Sequence, residues 1–142
     1  MRATLAPMRA VLVAVAVTGA LVASASTFAG TTAETSLRIT YWEDSAKPSA
    51  TVTWTLRCNP ARGSLARPAR ACARLVAGGP KLFEPLRKDI VCTEIYGGPQ
   101  KARVVGSVGD RRIWATFTRT NGCEIERWSR ISPWLVPPGG VT

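Results

Sequence analysis

The sequence predicts an α+β domain, a single antiparallel β-sheet of about five strands with two short helices on one face. Three observations carry that prediction. Several short segments alternate apolar and polar residues with period two. One alanine-rich stretch is bounded by Pro68 and by Gly78-Gly79-Pro80. Turn residues separate these segments at close intervals, which favours hairpins over long crossovers.

Taken in order, Leu37, Ile39 and Tyr41 alternate with Arg38 and Thr40, and Glu43 to Ser49 with Pro48 supply a turn. Thr51 to Arg57 place Val52, Trp54 and Leu56 on one face and three threonines with Arg57 on the other. A strand with one wet face belongs to a sheet covered on a single side, with Trp54 in the core. Cys58-Asn59-Pro60 breaks that strand. A helix then starts between Leu65 and Pro68, since proline is tolerated only in a first turn, with Ala69, Cys72, Ala73 and Val76 at helical spacing. Gly78-Gly79-Pro80 stops it. Lys81 to Val91 is irregular, and Ala102–Val108 and Ile113–Thr118 form a hairpin around Gly109-Asp110-Arg111. After Asn121-Gly122, Cys123 to Arg127 form one helical turn. From about residue 132 the proline- and glycine-rich end reads as a flexible tail, in which Trp134 and Leu135 are the residues able to dock.

The chain has 142 residues, 19 basic against 9 acidic, and no histidine. Residues 1–29 read as a secretory signal peptide: Arg2 and Arg9, an apolar run from Ala10 to Val22, then small-residue exits at Ala25 and Ala29. As a helix that run spans about 20 Å, short of the roughly 30 Å hydrocarbon core, so cleavage near residue 25 or 29 is expected rather than anchoring. Residues 30–142 form one secreted domain, extracellular and free of the membrane once the leader is gone. Its four cysteines fit two disulfides in an oxidising compartment. Without histidine no Ser-His-Asp or Cys-His arrangement can be built, and the nine acids form no glycosidase-like pair. The reading is therefore no enzyme, no metal and no cofactor. The basic residues are scattered, which argues for a solvated surface and against a nucleic-acid partner.

Cys92-Thr93-Glu94-Ile95-Tyr96-Gly97-Gly98-Pro99 follows directly on a cysteine, lies between regular elements and stops at a Gly-Gly-Pro turn. With Cys58-Asn59-Pro60, the alanine-rich helix carrying Cys72, and Arg119-Thr120-Asn121-Gly122-Cys123-Glu124, it resembles the bacterial subtilisin inhibitor-like family. The resemblance runs from about Leu37 to Trp128. It implies the subtilisin inhibitor fold, disulfides Cys58–Cys72 and Cys92–Cys123, an exported homodimer, and inhibition of subtilisin-like serine proteases. It also implies a reactive-site loop of Val91, Cys92, Thr93, Glu94, Ile95 and Tyr96, occupying P4 to P2′. The bond offered to the enzyme is Glu94–Ile95, so Glu94 enters the primary pocket. A carboxylate there departs from what a large apolar pocket favours. Asn121 and Gly122 either back the loop by hydrogen bonds or make an ordinary turn. The rival class is a non-inhibitory secreted module of the same fold, whose basic surface holds an acidic protein or polyanion; a small secreted hydrolase is disfavoured by the missing histidine.

Overall fold

The computed structural model describes residues 34–140, so the leader read over residues 1–29 lies outside the described part. The elements run β1 (Ser36–Trp42), β2 (Thr51–Arg57), α1 (Pro68–Gly78), a 3-10 turn (Gly79–Phe83), β3 (Lys101–Val108), β4 (Arg111–Phe117) and α2 (Gly122–Ser129). The α+β class holds. Four antiparallel strands in the order β2-β1-β3-β4 make the sheet among the described residues, one fewer than the five expected.

Strand register explains the one-sided core. Ile39 pairs with Trp54 and Val104, and Val104 with Ala115. Tyr41 likewise pairs with Val52 and Ala102, and Ala102 with Phe117. Each row crosses the sheet on one face, because side chains alternate with period two. Ile39, Val104, Ala115 and Phe117 are buried there beneath Ala71 and Leu75 of α1, Phe83, and Trp128 of α2. Burial fades toward the far end of β2, an edge strand, where Val52 is exposed. Gly109-Asp110 is left as a two-residue turn by the pairing of Val108 with Arg111, and Gly109 takes the positive φ (59°) that such a turn requires.

Helix α1 begins at Pro68, where a missing N–H costs nothing. It ends where the N–H of Gly79 (φ 58°) bonds the carbonyl of Leu75. Its buried face is not the expected one. Ala71 and Leu75 point inward, Ala69 and Ala73 are exposed, and Val76 is 87% exposed. Leu75 and Val76 are adjacent, hence about 100° apart on the helix, so only one can face the sheet. Alanines on every side leave the choice to the tertiary contacts.

Two more expectations need correction. Helix α2 is eight residues rather than one turn, because the Asn121 side chain accepts a hydrogen bond from the Glu124 N–H (3.0 Å) and caps it. Residues 131–136 are not loose: Ile131, Trp134, Leu135 and Val136 are buried in the core, which extends the docking the sequence allowed for Trp134 and Leu135. Trp134 Nε1 donates to the Arg130 carbonyl (2.9 Å) and Trp128 Nε1 to the Pro137 carbonyl (3.1 Å). Proline content signals the absence of regular structure, not the absence of packing.

Candidate functional site

From Glu84 to Gln100 the chain forms no helix or strand. Proline at 85 and 99 and paired glycines at 97 and 98 deny it either ladder. What holds residues 92–97 is a few bonds to one neighbouring segment, while beyond them the Pro99 carbonyl accepts from the Ser45 N–H (3.0 Å). Cys92 is joined to Cys123, across 31 residues of chain. The Thr93 carbonyl accepts from the Gly122 N–H at 2.9 Å, and the Gly97 N–H donates to the Arg119 carbonyl at 2.8 Å. Residues 93 and 97 are thus pinned to the four-residue stretch Arg119–Gly122. Between the pins, the main-chain groups of Glu94, Ile95 and Tyr96 bond to nothing else among the described residues.

Exposure follows the same boundary. Val91 is 96% exposed, Ile95 62% and Tyr96 58%, with Ile90, Thr93 and Glu94 also exposed and Cys92 half-buried. Gly97 and Gly98 are buried. Four of the seven large exposed hydrophobic residues of the described chain fall within Ile90–Tyr96. A cluster of apolar side chains held in water by a rigid support is characteristic of a recognition surface rather than a plain connection.

The glycines permit this close support. A Cβ on Gly122 would collide with Thr93 Oγ1, and one on Gly97 would stand 2.7 Å from Ile125 Cγ1. Beneath them lies a polar foundation that the sequence does not disclose. Gln100 is buried, its oxygen accepting from Arg119 Nη1 (3.1 Å) and its nitrogen donating to the Gly140 carbonyl (3.1 Å). Arg127, also buried, donates to the carbonyls of Glu84 (2.9 Å), Phe83 (3.4 Å) and Thr116 (2.6 Å) and faces the Phe117 ring at 4.2 Å. It ties the entry of the irregular segment to β4 and α2. Burial pulls the Arg127 pKa down, and Glu124, 3.5 Å away, opposes that shift. An arginine at a helix end reads as a surface cation, so only its partners reveal this role.

The six residues predicted for the loop, Val91 to Tyr96, are contiguous and share this ledge. Gly122 backs the loop through its N–H, whereas the Asn121 side chain caps α2 instead. Farther out, the exposed Arg87–Asp89 pair holds the Asp89 carboxyl below the usual carboxylate range through its hydrogen bonds. Cys58–Cys72 closes the other disulfide. Among the described residues no group of three acidic or cysteine side chains is placed to hold a metal ion, and no helix is long and apolar enough to cross a membrane. An apolar cleft of about 300 Å³ between Trp54, Leu65 and Trp134 contains none of the loop residues.

No family model matches the chain, and no curated protein matches it. Among solved structures, the crystal structure of Streptomyces caespitosus sermetstatin in complex with Bacillus licheniformis subtilisin is similar to it. The identity is 24%, over 72% of this chain and 97% of that chain, with a TM-score of 0.48.

Proposed function

We propose that this protein is a secreted inhibitor of subtilisin-like serine endopeptidases, offering residues 91–96 as a substrate-like loop with Glu94–Ile95 as the bond addressed. One observation carries the reading. The loop is pinned at Thr93 and Gly97 to a single support and at Cys92 by a disulfide, while among the described residues the main chain of Glu94, Ile95 and Tyr96 stays unpaired and their side chains exposed.

A protease binds its substrate by main-chain hydrogen bonds and side-chain pockets along an extended segment. A flexible peptide must order each residue on binding, at roughly 1–2 kcal/mol of backbone entropy apiece. A loop ordered during folding has already borne that cost. Val91 then fits an apolar pocket four residues upstream of the addressed bond, and Tyr96 offers a broad contact on the other side. When the enzyme's serine attacks the Glu94 carbonyl carbon, the C–N bond to Ile95 breaks and the Ile95 amine is released. The pins at 93 and 97 keep that amine beside the acyl group, so it re-forms the peptide bond faster than water displaces the enzyme. Inhibition by this route needs no catalytic group in the inhibitor. Two disulfides are in keeping with export to an oxidising compartment, and the homodimer implied by the sequence resemblance belongs to the same proposal.

Titration of the purified protein into subtilisin tests the reading. Stoichiometric loss of activity, relieved by reductant, is expected. Full activity of both subtilisin and a serine endopeptidase that selects glutamate, at a large molar excess of the intact, oxidised protein, contradicts it.

A second reading has one specific observation in its favour. On the uncovered sheet face the Arg103 guanidinium lies about 6 Å from both the Trp42 and Trp114 rings, and Lys101 lies over Trp42. Such a face suits an acidic partner. It predicts binding that weakens steeply with salt and no inhibition of any protease.

A further inference from the structure

We infer that the protease this loop fits carries a cationic primary pocket and selects glutamate, rather than a pocket that selects large apolar residues. The inference deepens the inhibitor reading and rests on it. Glu94 is the only charged side chain between Asp89 and Lys101, and it is exposed among Ile90, Val91, Ile95 and Tyr96. The molecule around it is strongly basic, with 19 lysines and arginines against 9 acids. Most acids elsewhere have taken a cation: Glu34 lies against Arg57 and Arg62, Asp44 against Lys47, Asp89 against Arg87, Glu124 against Arg127 and Glu126 against Arg130. Glu94 has no cation within 4 Å among the described residues.

Glu43, Glu84 and Asp110 also have no cation that near, but only Glu94 stands exposed among four exposed apolar residues, a local reversal of charge on a basic molecule. Placed in an apolar pocket it loses its hydration and gains no partner. In a pocket with arginine, lysine or protonated histidine it gains short charge-assisted hydrogen bonds, and the flanking Val91, Ile95 and Tyr96 keep water from that pair. No internal ion pair has to be broken first. The pins at Thr93 and Gly97 hold the main chain, so the side chain at 94 is free to set the choice of enzyme without setting the shape of the loop.

The experiment compares inhibition constants against two enzymes, subtilisin and a glutamate-selecting serine endopeptidase, for the unsubstituted protein, Glu94→Gln and Glu94→Leu. All three fold alike if their melting curves coincide, as expected for an exposed residue. The unsubstituted protein should bind the glutamate-selecting enzyme at least about 30-fold more tightly than subtilisin, and Glu94→Gln should give up roughly that factor against it alone. Glu94→Leu should reverse the order of the two enzymes. Inhibition of subtilisin as tight as or tighter than that of the other enzyme, or a Glu94→Gln constant within about threefold of the original, overturns the inference and leaves the inhibitor reading standing. Absence of inhibition by any of the three proteins on either enzyme overturns both.

Discussion

Two disulfides each close a loop in this molecule, and the two loops do opposite things with their backbones. The loop inside Cys58–Cys72 folds back on its own sheet. Arg57 and Arg62 exchange both of their main-chain hydrogen bonds (2.8 and 2.9 Å), Leu65 N–H donates to the Thr55 carbonyl, and Ser64 Oγ accepts from the Thr55 N–H (2.9 Å). It thereby covers the Thr55–Arg57 end of the free edge of β2, an edge strand of the sheet. The segment at Cys92–Cys123 is fastened to its support by two main-chain bonds, and between them three residues are left unpaired among the described residues. An edge that is covered cannot be read by another chain, and one that is held out and uncovered can. The contrast supports the proposed binding surface more than exposure alone does, since many loops are exposed.

The largest effect that sharpens this contrast comes from removing each disulfide in turn. Replacing Cys92 and Cys123 by serine should lower stability by about 3–4 kcal/mol in the chain-entropy picture and abolish inhibition measured under conditions where the protein is still folded. Replacing Cys58 and Cys72 should cost about 3 kcal/mol in denaturant melts while leaving the inhibition constant of the folded protein near its original value. Equal losses of inhibition in the two variants would erase the distinction between the loops.

Arg127→Met comes next. It strands the carbonyls of Phe83, Glu84 and Thr116 and leaves Glu124 without its cation. A loss of about 3 kcal/mol is expected from denaturant unfolding, because buried acceptors deprived of a partner keep their desolvation cost. Gly122→Ala acts on the loop itself. Its methyl group meets Thr93 Oγ1, so the Thr93 side chain must turn away or the loop must lift from its support, and inhibition should weaken by up to about 100-fold while the melting curve moves little. Adding Thr93→Ala removes the clashing oxygen and should restore most of the binding; a double variant as weak as the single one contradicts this account. The smallest effect is Ser64→Ala, which removes an acceptor in the covered loop. It should cost about 1 kcal/mol in stability, with no change in inhibition.

Much of the frame is legible in the residues. Period-two alternation marks all four strands because one face of the sheet is buried and the other wet, and that division is printed residue by residue. Pro68 and the Gly78-Gly79-Pro80 run mark both ends of α1 because each acts through local backbone geometry. The loop is marked by a cysteine, by its place between regular elements and by a Gly-Gly-Pro stop, and its role only by the family resemblance.

The tertiary structure decided what depends on partners far apart in sequence. It chose Leu75 over Val76 as the inward residue of α1, drew Trp134 to Val136 into the core, and set Arg127 under the loop entry with carbonyls 11 to 44 residues away. It also brought the Thr93 carbonyl to Gly122 and the Gly97 N–H to Arg119, the two main-chain bonds that hold the octapeptide in place. Local preferences act over a few neighbours, and a chain records them in its own order. Which donor meets which carbonyl is settled only when the whole core closes.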